Sequence, residues 1–234
     1  MSDAFASRAA QWDANPVRAA IGQAFYAQVL KAAAGHFGEA ARPLAGKTVL
    51  EFGCGTGVLG LRLAEDHAAR LLFVDTSPAM LGVLRAKLAQ AAEVNVQESS
   101  ATQASVPASN AQVFEGELSE LPIAEASVDL AVSLMALHHV PDVPGALSRL
   151  RALLKPGGLL LLGDLLPEDG GFHAGNNHDE SACHNGFDPE ALRALCLAAG
   201  LDVQRLLPFH LVRKPDPAGA LREYPLFFLA AKAV

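Results

Sequence analysis

Residues 47–57 read KTVLEFGCGTG, a β-branched and apolar run that stops on three alternating glycines. The run lacks polar alternation, the pattern of a strand buried on both faces of a parallel sheet. Gly53, Gly55 and Gly57 then fall at its carboxyl tip. Glycine adopts dihedrals other residues avoid and lets a ligand reach the main chain. Three alternating glycines exceed what a tight turn needs. The stretch therefore confines the chain to α/β architectures, in which ligands bind where strands end.

The rest of the chain supplies the alternation such an architecture requires. Residues 4–14 and 17–36 have helical character, with Asn15 as N-cap and Pro16 in the first turn of the second segment. VLGLRLAEDH (58–67) has helical periodicity, and RLLFVD (70–75) reads as strand 2. Thr76-Ser77-Pro78 is a helix start, and that helix runs to about Gln90. Residues 91–110 are small and polar and predict a long loop. Strands 3, 4 and 5 are expected at 111–117, 127–135 and 159–165. A helix is expected over 143–154, and Lys155-Pro156-Gly157-Gly158 forms a stop-and-turn before strand 5. A further helix spans 187–200, with Asp188 as N-cap and Pro189 at its first position. Two closing strands, 201–212 and 222–233, have no helix between them and should pair antiparallel. The expected fold class is α/β, a doubly wound and mostly parallel sheet.

Composition narrows the partners. The 234 residues suffice for one α/β domain, and 51% of them are hydrophobic, as in a globular chain. Eighteen Lys and Arg against 25 Asp and Glu give a formal net charge of −7. With no dense basic cluster, nucleic acid and anionic membrane are not expected as main partners, whereas a protein substrate stays open. No secretory leader and no membrane span is expected. Cys54, Cys183 and Cys196 cannot all pair within one chain, so a reduced, cytoplasmic setting is expected.

Two ligands compete for the glycines. Gly55-x-Gly57-x-x-Gly60 matches the dinucleotide fingerprint and would suit an NAD-dependent oxidoreductase. Glu51, two residues before Gly53, opposes it, because a carboxylate there repels a pyrophosphate and favours a cationic ligand. S-adenosylmethionine carries a sulfonium and an ammonium and no phosphate. Glu51 could orient its amino-acid end, or be a partly buried acid satisfied by loop amides. Asp75 ends strand 2 and can accept the ribose hydroxyls of either cofactor. Glu117, with Leu118 behind it, can receive an adenine amine, although acids after strands are common on surfaces.

The segments EFGCGTG (51–57), Asp75, GELSELP (116–122), SVDLAVSLMALHHV (127–140) and LLKPGGLLLLGD (153–164) occur in order. In that order they resemble the class I S-adenosylmethionine-dependent methyltransferases, and in particular the small-molecule branch with the ubiquinone and menaquinone enzymes. The likeness is clear over 45–165. It implies a Rossmann-like, seven-stranded sheet with an antiparallel last strand, an N-terminal helical cap (1–44) on a cofactor-binding domain (45–234), a small-molecule acceptor, and S-adenosylhomocysteine as product. It carries cofactor roles to Glu51, Gly53, Gly55, Gly57, Asp75 and Glu117. Cys54, Thr76, Leu118 and Leu134 complete the expected contacts. A third alternative is a protein that binds the cofactor without catalysis.

Methyl transfer from a sulfonium needs the nucleophile held in line and water excluded, with a base where a hydroxyl or acidic carbon reacts. His138 and His184 are the candidate bases. For His138 and its neighbour His139 a structural role competes, and Asp164 could touch substrate or cap the following turn. The segment 167–187 gathers His173, His178, Asp179, Glu180, Cys183 and His184 without C-x-x-C or H-x-x-x-H spacing. It is expected to be a substrate-facing lid rather than a metal site. Trp12 either lines the cofactor pocket or anchors its helix. The sequence does not choose among O, N and C acceptors or give an oligomeric state.

Overall fold

The computed structural model describes residues 3, 5–38, 41–64, 70–97, 110–173, 182–215 and 219–234, and the side chains of all of these except 93–97. Seven strands form one sheet in the order β3-β2-β1-β4-β5-β7-β6. Here β1 is Thr48–Phe52, β2 Arg70–Asp75, β3 Ala111–Glu115, β4 Val128–Leu134, β5 Leu154–Leu165, β6 Leu201–Pro215 and β7 Leu221–Ala233. The first five strands pair parallel, and β7 runs antiparallel to both β5 and β6. The strand order reverses at β1, which lies between β2 and β4. Loops leaving β1 and β4 therefore part and open a crevice at their carboxyl tips.

Successive strand residues feed opposite layers, as a two-residue period requires. Leu50, Leu72 and Leu160 join α4 (Val143–Leu153) and α5 (Pro189–Ala198) in one core. Val49, Leu71 and Leu161 join α1 (Pro16–Phe37), α2 (Val58–Ala64) and α3 (Pro78–Gln97) in the other. Both faces are covered, which explains why the strands lack polar alternation.

The caps read from sequence are present. Asn15 Oδ1 accepts the amides of Val17 at 2.9 Å and Arg18 at 3.2 Å. Asp188 Oδ1 accepts those of Glu190 and Ala191 at 3.1 and 2.9 Å.

Four expectations are corrected. Within 4–14 the regular structure is a 3-10 helix, Ala9–Ala14, because the Asn15 cap leaves no room for a second α-helical run. The α3 helix continues to Gln97, through residues 91–97 expected as loop; AAEVNVQ contains no Gly or Pro to stop it. The rest of that expected loop lies outside the described residues. Residues 155–158 belong to β5, since Leu154 pairs with Val128 and Leu159 with Leu130, and the surplus residues bulge around Gly157 at φ 75°. The last two strands extend further toward each other than the pattern suggested. Their pairing runs to Pro215↔Leu221, whereas β5 ends opposite Leu226. The β6–β7 hairpin thus overhangs the carboxyl tips of the sheet.

Candidate active site at the carboxyl tips

The glycine run folds as a loop whose first amides are tied to the neighbouring strand. Gly53 and Cys54 donate to the Val74 carbonyl at 2.8 and 3.0 Å, and all three glycines have positive φ, 67°, 52° and 75°. They are needed for different reasons. A Cβ on Gly53 would lie 2.2 Å from that of Ala136, and one on Gly57 would lie 2.4 Å from Leu84 Cδ1. At Gly55 a Cβ would approach only Trp12 Nε1, at 3.8 Å. Gly55 is therefore the point where the main chain is open to a ligand, beneath Trp12. Cys54 contributes backbone there, since its side chain is in the core and burial pushes its thiol well above the usual range.

Gly60, third glycine of the dinucleotide pattern, donates its amide to Glu51 Oε2 at 2.9 Å. A Cβ on Gly60 would strike that oxygen and the Phe73 ring, each at 2.4 Å. Burial raises the Glu51 carboxyl to about 8, against the opposing pull of the Gly60 amide. One first-turn amide of α2 is thus taken up by a carboxyl group of the chain itself.

Asp75 lies across the same loop. Its Oδ2 accepts the Gly55 amide at 2.7 Å and its Oδ1 the Ser77 amide at 2.9 Å. Burial lifts its carboxyl, and the Ser77, Gly55 and Thr76 amides oppose the rise. Each oxygen retains a second lone pair for a hydroxyl donor. Thr76 is exposed, and Ser77 caps α3 by accepting the Met80 amide at 3.2 Å. Glu117 is exposed after β3, whereas Leu118 is core. Arg149 holds this turn by donating to the carbonyls of Leu118, Leu121 and Ile123 at 3.4, 3.1 and 3.0 Å.

The N-terminal segment straps over the loop, through residues the sequence reading passed over. Asp3 accepts the Ser77 hydroxyl at 2.9 and 2.8 Å and the Ala79 amide at 3.1 Å. Asp13 accepts the Thr56 hydroxyl and pairs with Lys87, both at 2.5 Å. Phe5 meets Trp12 edge-on at 5.7 Å and His139 at 5.4 Å, and Arg18 lies over the Trp12 ring at 3.6 Å. Trp12 thus faces the glycine loop and anchors the strap at once.

The exits of β4 and β5 bring a histidine and an acid together. His138 is 1% exposed, on a 3-10 turn, Leu137–His139, after β4. Its Nδ1 is 2.7 Å from Asp164 Oδ1, and Asp164 also accepts the amides of His138 and Leu165 at 3.2 and 2.7 Å. An acceptor at Nδ1 fixes the proton there and leaves the lone pair on Nε2. Nε2 is buried and has no hydrogen-bond partner among the described residues. Met135, at φ 53°, holds the turn by donating to the Gly163 carbonyl at 2.7 Å. Leu134 is half-buried and, like Met135 and Phe172, packs against a buried cluster that holds Leu165, Tyr224 and Leu226.

His184 meets His138 through the main chain. Its Nε2 donates to the Val140 carbonyl at 2.9 Å, and the amides of Cys183 and His184 donate to the His138 carbonyl at 2.8 and 3.1 Å. These bonds pin residues 182–187 to the β4 exit. His178, Asp179 and Glu180 lie outside the described residues. His173 stands beside His138, their ring centroids 5.0 Å apart. Asp164 as the partner of His138 had one sequence signal, an acid ending strand 5. The Asp3, Asp13 and His173 contacts had none.

The seven-stranded order, the glycine turn and the acid ending β2 define a Rossmann-like protein of the methyltransferase class. A family model described as a methyltransferase domain matches residues 21–206, and the chain belongs to that family. It is similar to an uncharacterized methyltransferase of Schizosaccharomyces pombe, 28% identical over 67% of this chain and 54% of that one. It is 29% identical to the 27-O-demethylrifamycin SV methyltransferase of Amycolatopsis mediterranei, over 56% of this chain and 43% of that one. The chain thus spans about half the length of the curated relatives it matches. Among solved structures, a SAM-dependent methyltransferase from Aquifex aeolicus superimposes with TM-score 0.65 at 18% identity, covering 100% of both chains. The [4+2]-cyclase SpnF does so with TM-score 0.60 at 15% identity, covering 88% of this chain and 79% of that one. These two likenesses concern the fold, which hosts more than one chemistry. The oxidoreductase alternative falls to the family match.

Proposed function

We propose that the chain is an S-adenosylmethionine-dependent methyltransferase that methylates a hydroxyl of a small, partly apolar acceptor. The observation that carries the reading is the buried His138–Asp164 pair, which leaves a lone pair on His138 Nε2 where β4 and β5 end. Relatives named as O-methyltransferases, including that of Pyrenophora dematioidea at 30% identity, support the choice of oxygen.

The residues present fit the cofactor. Gly55 offers an open backbone surface below Trp12. Asp75 has acceptor capacity left for ribose hydroxyls, and Glu51, buried and bonded to the Gly60 amide, supports the glycine loop from behind. Glu117 and Leu118 serve the adenine side. When bound, the cofactor supplies a methyl group already activated on a sulfonium. The chain's own work is to position the acceptor, exclude water and take one proton. The N-terminal strap and the hairpin overhang do the excluding. His138 Nε2 takes the proton of the acceptor hydroxyl, and Asp164 steadies the resulting imidazolium. His184 positions the β4 exit without touching the acceptor. An odd number of cysteines, Cys54, Cys183 and Cys196, suits a reducing, cytoplasmic setting.

The test is transfer of labelled methyl from the cofactor to a panel of small phenols and alcohols. His138→Gln should lower turnover by about 10²–10⁴-fold, the usual range for a general base, with cofactor affinity unchanged. Undiminished turnover in this variant refutes the base assignment.

A further inference from the structure

The described residues also gather three imidazoles. His138 and His139 leave the 3-10 turn after β4, and His173 comes from the segment after β5. One ring nitrogen from each lies within 4.8 Å of the other two. The ring centroids are 4.1 Å apart for His138–His139, 5.0 Å for His138–His173 and 5.7 Å for His139–His173.

We propose that His138, His139 and His173 form a binding site for a divalent transition metal of the zinc type, with an open fourth position at the tips of β4 and β5. The ligand spacing invisible in the sequence is supplied by the fold, which joins segments 34 positions apart (173 − 139).

Two independent features point to a metal. First, His138 is 1% exposed and its Nε2 is buried without a hydrogen-bond partner among the described residues. A buried imidazole nitrogen left this way costs free energy unless something accepts its lone pair. Second, Asp164 binds the opposite nitrogen at 2.7 Å. A carboxylate behind a ligating imidazole fixes its tautomer, turns its ring and raises its basicity. The donor set is three neutral nitrogens, which suits Zn²⁺, Co²⁺ or Ni²⁺ rather than Mg²⁺ or Ca²⁺. Metal–nitrogen bonds of about 2.0–2.1 Å place tetrahedral ligands about 3.4 Å apart. The rings therefore need to close by little more than about 1 Å from the 4.8 Å limit.

The consequence rests on the methyltransferase reading. A metal on Nε2 takes the lone pair that His138 uses as base, so metal binding and proton transfer to Nε2 exclude each other. The metal-loaded chain should therefore lose methyl transfer and regain it when the metal is stripped.

The site is tested by titrating metal-stripped protein with Co²⁺ and with Zn²⁺, without any cofactor. The expected result is one equivalent bound, with the visible bands of four-coordinate cobalt. His139→Ala and His173→Ala, at half-buried positions, should each weaken binding at least tenfold. Asp164→Asn should weaken it about 10–100-fold, as loss of a supporting carboxylate does. Zinc should raise the melting temperature of the native chain and not of His173→Ala. No saturable binding, or equal binding by all variants, overturns the proposal. Cofactor titration of the same samples reports separately on the methyltransferase reading.

Discussion

The Gly60 amide donates to Glu51 Oε2 at 2.9 Å inside the protein, so the last glycine of a dinucleotide-like pattern serves an acid of the adjoining strand. The pattern alone fits two cofactors. The bond shows what Gly60 does here, which is to let α2 close on Glu51 and the Phe73 ring; the family match separates the two cofactors.

That acid makes stability depend on pH. Burial raises the Glu51 carboxyl to about 8 from an ordinary 4.5. Between those values the folded chain keeps a proton that the unfolded chain releases. Stability contributed by this group is therefore full below about 4.5, falls as pH rises toward 8, and is lost above it. The slope has a ceiling of about 1.4 kcal/mol per pH unit. Glu51→Gln should flatten this part of the profile. Thermal melts of both proteins from pH 5 to 9 check it; parallel profiles contradict the burial argument.

Gly55 and Gly57 should separate binding from folding. A methyl at position 57 meets Leu84 at φ 75°, so Gly57→Ala should cost about 1–3 kcal/mol of stability. At position 55 the space is open, so Gly55→Ala should lose only the left-handed preference, about 1 kcal/mol. It should still weaken cofactor binding about tenfold or more, because its methyl enters the space below Trp12. Chemical denaturation and cofactor titration on both variants give the comparison.

The strap should act on cofactor exchange. Asp13 holds Thr56 and Lys87 at 2.5 Å from a half-exposed position. Partly solvated pairs of this kind contribute little, so Asp13→Ala should lower stability by less than about 1 kcal/mol. Release of the cofactor should nevertheless quicken severalfold as Trp12 lifts from the loop. Stopped-flow displacement measures this; an unchanged release rate removes the strap from the account.

How much of this was legible in the sequence follows from what each signal reports. Strand–glycine–helix punctuation is local, so β1, the glycine turn, Asp75 and the caps at Asn15 and Asp188 were readable. Alternation of strands and helices predicted the parallel sheet, and the missing last helix predicted the antiparallel β7. Helix ends without glycine or proline were not readable, and α3 overran its expected end by seven residues, 97 against 90. Contacts between distant segments left no pattern at all. His138 meets Asp164 only because β4 and β5 are paired neighbours, and His173 joins them only through the turn after β5. The sequence marks His184 only by its neighbours, and the bond of its ring to the Val140 carbonyl had no signal there.

Asp164→Asn should expose the dependence of His138 on its partner. The amide cannot hold the Nδ1 proton as the carboxylate does, so the lone pair need not stay on Nε2. Turnover should fall about 10²–10⁴-fold, with cofactor affinity within about twofold of the native chain. Steady-state kinetics beside cofactor titration check it. Equal losses in both would indicate a folding defect, and no loss in turnover would leave His138 without its assigned role.

The most direct test of the central claim is calorimetric titration of the native chain and Asp75→Ala with S-adenosylmethionine, S-adenosylhomocysteine and NAD. The account predicts micromolar binding of the first two by the native chain, none of NAD, and a loss of at least tenfold in Asp75→Ala. Binding of NAD, or undiminished affinity in Asp75→Ala, would contradict it.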